Sequence, residues 1–217
     1  GLACGGQISV LVQSIDAAHF PPALIADIVA SRAAGRPLEV HTDLATGHSA
    51  TAAPAGDAFV HLYAPPLRMM IVGAVHIAQS LAPLARLIGY QPMIVDPRDG
   101  FAAASRFADL AVDPRWPDEA FADWRPDGAT AVITLTHDPK IDDPALVAAL
   151  RSPAFYIASL GSRRTHASRI ERLTAMGFTP EELARIQGPA GLAIGAANPA
   201  EIALSILAGA TAALRVA

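Results

Sequence analysis

Residues 69–98 read MMIVGAVHIAQSLAPLARLIGYQPMIVDPR, and their pattern decides the fold. Four apolar residues lead into Gly73, a stretch with helical apolar spacing follows, and a second apolar run ends on Asp96. Strand, glycine turn, helix and strand in that order are the outline of a nucleotide-binding βαβ unit. The glycine signature of such units is G-x-G-x-x-G/A. Here Gly73 and Ala78 suit its first and last positions, but Val75 stands at the second. A β-branched side chain there denies a diphosphate the bare backbone it needs. Asp96 follows Gly73 by 23 residues, the place of an acid that binds a ribose hydroxyl. Standing before Pro97, it is equally a turn former.

Outward from this unit, apolar runs and amphipathic stretches alternate strictly. Strands are expected at 69–72, 92–95, 110–112, 131–135 and 156–158, with helices between most of them and a long closing helix in NPAEIALSILAGATAALRV. Five buried strands joined by crossovers predict a Rossmann-like doubly wound parallel sheet. Before Pro65-Pro66 the pattern differs. QISVLVQSI alternates Ile8, Val10 and Val12 with polar neighbours, as a half-buried strand does. A helix is expected from Pro22 to Gly35, and PLEVHTDLATG and DAFVHLYAPP read as two further strands. The expected fold is α/β, with a small N-terminal α+β domain over 1–65 and the Rossmann-like domain over 66–217.

Composition narrows the function. With 217 residues, 52% of them hydrophobic, the chain can bury a sizeable core. A net charge of -4 and a pI near 5.9 provide no basic field for nucleic acid. No apolar run is long enough for a membrane span. Cys4, the single cysteine, cannot form an internal disulfide and fits a reducing cytoplasm. Arginine supplies all the basic residues but one, Lys140.

In a doubly wound sheet, ligands sit beyond the carboxyl ends of the strands. After the first strand stands the Gly73 turn with His76. After the fourth comes LTHDPKIDDPAL, where His137 is a candidate acid, base or ligand, Asp138 its partner, and Lys140 a cation for phosphate or carboxylate. The plainer reading makes these aspartates turn formers and helix caps. After the fifth comes SLGSRRTHASRIERL. Gly161 and Ser162 would open a helix whose first turn carries Arg163 and Arg164, an unfavourable place for cations unless an anion sits there. GPAGLAIGAANPAEIALSI, with Gly188, Gly191 and Gly195, is either a ligand lip or a packing turn.

Together GLACGG, VGAVHIA, VDPR, LTHDPKIDDPAL, LGSRRTHASR and GPAGLAIGAANPAEIALSI resemble the XdhC/CoxI family, accessory proteins that mature xanthine dehydrogenase and related molybdenum hydroxylases. The resemblance covers nearly the whole chain. It implies a cytoplasmic, homodimeric chaperone that binds molybdenum cofactor, guards it while a cysteine desulfurase supplies the sulfido ligand, and delivers it to the molybdenum hydroxylase apoenzyme. It also implies an upstream Cys-containing segment, so the domain over 1–65 is expected to be incomplete. The family turn usually reads Gly-Ala-Gly-His, and Val75 departs from it. On this reading Cys4, Gly73, His76, Asp96, His137, Asp138, Lys140, Gly161, Arg163 and Arg164 line the molybdopterin site. Cys4 would ligate molybdenum or accept sulfur, unless it is only a small packing residue. One rival is an NAD(P)-dependent oxidoreductase with a degenerate dinucleotide motif, in which His76 or His137 handles the proton, and a second is a non-catalytic scaffold whose apolar surface recognises partner proteins.

Overall fold

The structure, a computed structural model, describes residues 8–98, 107, 110 and 112–215. It divides into two compact units, Gly1–Pro65 and Pro66–Ala217.

The first unit holds helix α1 (Pro22–Ala33) and strands β1 (Leu38–Asp43), β2 (Ser49–Ala50) and β3 (Ala58–Tyr63). They form an antiparallel sheet in the order β2-β1-β3, on which α1 packs through Leu24, Ile28 and Val40. The strand expected in QISVLVQSI does not form among its described residues 8–15. Its alternating Ile8, Val10 and Val12 are instead 64–85% exposed. A period-two pattern offers side chains to a sheet but supplies no partner backbone, and pairing is what makes a strand.

The second unit runs β4 (Arg68–Val72), α2 (His76–Leu87), β5 (Gln91–Val95), β6 (Val112–Asp113), α3 (Pro117–Trp124), β7 (Thr130–Thr134), α4 (Pro139–Leu150), β8 (Tyr156–Ser159), α5 (Arg163–Ala175), α6 (Pro180–Leu183), β9 (Ile186–Gln187) and α7 (Pro199–Arg215). All pairings within its sheet are parallel, in the order β6-β5-β4-β7-β8-β9. The chain begins this sheet in the middle and winds outward first one way, then the other. Its topological switch point lies between β4 and β7. The sixth strand, β9, is not foreseen from sequence because two residues are too few to display a period.

The apolar runs are continuous because both faces of the sheet are covered. Successive side chains alternate between them. Met69 and Ile71 face one way with Ile133, under α2 and α7, through Leu81 and Leu207. Met70 and Val72 face the other way with Val132, under α3, α4 and α5, through Phe121, Leu146 and Leu173. This places the amino ends of α2, α4 and α5 at the carboxyl edge of the sheet. Replacing Ile133, fully buried in a central strand, by Ala is expected to cost about 2–5 kcal/mol of stability, read as a lower urea midpoint at unchanged slope.

Candidate functional site

At the switch point the Gly73 turn is drawn tightly into the fold. Gly73 has φ 109°, and a Cβ there would lie 2.7 Å from the Thr136 methyl group. The glycine therefore lets the β4 and β7 loops touch, in the place where a dinucleotide would enter. Gly73 N–H donates to the Val95 carbonyl at 2.8 Å, and Ala74 N–H to Asp96 Oδ2 at 2.8 Å. Val75, the residue before α2, packs against the core cluster beneath that helix. His76 is exposed in the first turn of α2.

Asp96 is fully buried. Besides Ala74, it accepts Arg98 N–H at 3.0 Å, Nε at 2.8 Å and Nη2 at 2.7 Å. Four donors fill what a carboxylate can accept, so this geometry leaves Asp96 no face for a ribose hydroxyl. Burial by itself would raise its carboxyl, but the hydrogen bonds from Arg98 and Ala74 outweigh that and hold it below the ordinary carboxylate value.

The β7 loop is organised by Asp142, a residue whose sequence position suggests no more than a cap. It is buried in the first turn of α4 and reaches back. Oδ1 accepts the Thr136 hydroxyl at 2.7 Å and its N–H at 3.3 Å, and Oδ2 accepts His137 N–H at 3.1 Å. His137 is thereby held at φ 63°, a left-handed conformation that a non-glycine residue adopts only when its surroundings impose it. Burial pushes the Asp142 carboxyl up, against the hydrogen bonds and the nearby charge of Arg169. Asp138 caps α4 by accepting Lys140 N–H at 2.9 Å.

Helix α5 is capped by the Ser162 hydroxyl, which accepts Thr165 N–H at 3.1 Å. Gly161, at φ 146°, lies against Thr165 and the guanidinium of Arg169. Between the start of α4 and the face of α5 lies a cleft of about 240 Å³, lined by His137, Asp142, Arg164, Thr165, Ser168, Arg169 and Arg172. Arg169 is 1% exposed. Its Nη2 donates to the Leu160 carbonyl at 2.9 Å, its Nη1 meets His166 Nδ1 at 3.5 Å, and its Nε has no partner. Among the described residues no carboxylate lies within ion-pair distance of it. Burial lowers its proton affinity, and burial also keeps His166 toward the neutral imidazole, helped by the neighbouring Arg169 charge. Arg172 is held bidentately by Asp143, at 2.6 and 2.9 Å.

The cleft brings together two of the residues singled out from sequence, His137 and Arg164. Arg163 is exposed outside it, Lys140 lines a separate groove between α3 and α4, and Cys4 lies outside the described residues. Arg169, Arg172, Thr165 and Ser168 went unrecognised. The four-residue spacing of Arg164, Ser168 and Arg172 puts them on one helix stripe and could have exposed them. Among the described residues no cluster of three or more His, Cys, Asp or Glu could hold a metal, and no helix is long and apolar enough to cross a membrane.

Because Asp96 titrates lower in the folded state than in the unfolded chain, its contribution is complete above the ordinary unfolded value of about 3.9. It is lost as pH falls through the lower folded value. Asp96→Ala is expected to cost about 3 kcal/mol near neutrality and to flatten the loss of stability below pH about 4, checked by urea unfolding across that range.

Comparison with known proteins fits this topology. The molybdenum cofactor insertion chaperone PaoD of Escherichia coli (strain K12) is 35% identical over 146 residues, 67% of this chain and 40% of PaoD. A protein of Bacillus subtilis (strain 168) described as a probable xanthine dehydrogenase subunit is 28% identical over 152 residues, 69% of this chain and 44% of that protein. The chain thus spans less than half the length of these relatives. The crystal structure of a xanthine dehydrogenase from Bacillus halodurans shares the fold, with a TM-score of 0.68 at 22% identity over 89% of this chain and 64% of the other. The XdhC Rossmann domain family matches residues 69–209, and the chain belongs to that family.

Proposed function

We propose that this chain carries molybdenum cofactor as a chaperone and hands it to a xanthine dehydrogenase-type molybdenum hydroxylase. The observation that carries the reading is the cleft between α4 and α5. Three arginines reach it, one of them buried without a carboxylate in contact, beside the amino end of a helix. Asp142 and Asp143 act on the buried Arg169 only through space, so an anion in direct contact would complete it, and guanidinium groups on a helix face that begins with Arg164 in the first turn suit a phosphate monoester. Molybdopterin bears such a phosphate. At about 240 Å³ the cleft is smaller than the roughly 300 Å³ at which pockets for whole small molecules begin. It suits one end of a ligand. The kinship with an insertion chaperone supports the same cargo.

In this reading Arg164 and Arg169 hold the phosphate, with His137 at the rim. Arg172 is steadied by Asp143 and adds charge without needing to leave its partner. A cysteine desulfurase supplies sulfur to the cargo while it is bound, in the cytoplasm, and Cys4 is the residue to meet molybdenum or sulfur. A homodimer and the apoenzyme complete the set of partners. The dinucleotide alternative finds little support, since the Gly73 and Ala74 amides and the Asp96 carboxylate are all engaged inside the fold.

The test is molybdopterin retention during purification, measured by fluorescence of its oxidised form. Arg164→Ala removes one charge-assisted contact of about 1.5–3 kcal/mol, so retention is expected to fall about tenfold or more. The melting temperature should stay within a degree or two, because this side chain is exposed. Normal retention by the variant would overturn the phosphate assignment. NADH titrated into the unmodified chain should show no saturable binding at micromolar concentrations, and saturation there would restore the oxidoreductase reading.

A further inference from the structure

A second cavity adjoins the anion cleft. It is a groove of about 630 Å³ between α3 and α4, floored by Phe121, Pro144 and Val147, with exposed Met176 at its side and Asp118 and Lys140 among its lining. Its partition from the cleft is narrow. Pro139 lines both cavities, and the Asp143–Arg172 ion pair bridges them, with the carboxylate on the groove and the guanidinium on the cleft. Both α3 and α4 begin at the carboxyl edge of the sheet, so Asp118 and Lys140, in their first turns, stand at the same end as the anion cleft.

We infer that this groove holds the pterin ring of a ligand whose phosphate sits in the cleft, with Asp118 as the residue that recognises the ring. The inference rests on the cargo reading given above. A pterin is a flat heterocycle with one strongly directional edge, a 2-amino group beside a ring N–H, two donors that a single carboxylate accepts side by side. Asp118 is exposed, and among the described residues no side chain is hydrogen-bonded or ion-paired to it. The helix dipole alone does not account for its place. Glu119 stands in the same first turn and serves the dipole equally, yet only Asp118 lines the groove. The apolar floor covers the faces of the heterocycle, and the ammonium of Lys140 suits its 4-oxo group. The two cavities also divide the ligand as its chemistry requires, a charged end in a small polar cleft and a flat body in a larger apolar groove.

The test uses the full chain with 6-hydroxymethylpterin, which has no phosphate, followed by its intrinsic fluorescence, and with the phosphorylated form of the same compound. Hydroxymethylpterin should bind the unmodified chain saturably, Asp118→Asn should weaken it about tenfold, and Arg164→Ala should leave it unchanged. The phosphorylated compound should be weakened by both variants. Equal affinity for hydroxymethylpterin in Asp118→Asn and the unmodified chain, or no saturable binding to either, would overturn the inference. Molybdopterin retention separates the two claims. If the unmodified chain and Asp118→Asn retain the cofactor equally, the groove assignment falls while the cargo reading stands. If the unmodified chain retains none, the cargo reading falls, and the hydroxymethylpterin titration still decides the groove. Unchanged melting of Asp118→Asn excludes misfolding as the cause of any loss.

Discussion

The buried carboxylate of Asp142 is the constraint on which the carboxyl edge of the sheet depends. By accepting from Thr136 twice and from His137 once, it fixes the loop after a central strand. The Thr136 methyl group then lies against the bare Cα of Gly73, which joins the β7 loop to the β4 turn across the switch point. The same carboxylate imposes a left-handed backbone on His137 and sends its side chain to the rim of the cleft. A buried acid that gathers three donors replaces solvent at a site that must keep one shape, since each unmade hydrogen bond would leave a desolvated group unsatisfied.

Around it, charges are arranged in two different ways. Asp96 and Asp143 are closed systems, each matched by an arginine with good geometry, and they serve as braces: the first for the Gly73 turn, the second for the wall between cleft and groove. Arg169 is open. Its hydrogen bonds go to a carbonyl and an imidazole, and the charges of Asp142 and Asp143 reach it only through space, so no carboxylate occupies its guanidinium directly. The contrast between arginines bonded to a carboxylate and one that is not, more than the number of arginines, marks the cleft as the candidate site.

A Rossmann sheet ordinarily offers its switch point to a dinucleotide. Here contact between the β4 and β7 loops occupies that place, and the polar cleft lies one strand further on, between the helices that follow β7 and β8. The fold keeps the general rule that ligands meet the carboxyl edge, while the groups at that edge suit an anion more than a diphosphate with two riboses.

The parallel sheet was legible in the sequence because burial on both faces demands continuous apolar runs, and residues 69–72, 92–95 and 131–135 supply them. The turn at Gly73 and the helix start at Ser162 were legible too, since each depends on local chemistry, and His137 and Arg164, singled out from sequence, both line the cleft. Other features were not. Residues 8–15 carry a strand pattern yet form no strand among the described residues, and β9 is too short to carry any pattern. Asp96 and Arg163 suited ligand roles by position, but hydrogen bonding turned the first inward and helix phase set the second outside the cleft. Arg169 carried no signal that singled it out, and Asp142 read as a capping acid. Only packing of α5 against α4 buried them, and burial, a property of neighbours distant in sequence, gives a charged side chain its power to hold a ligand.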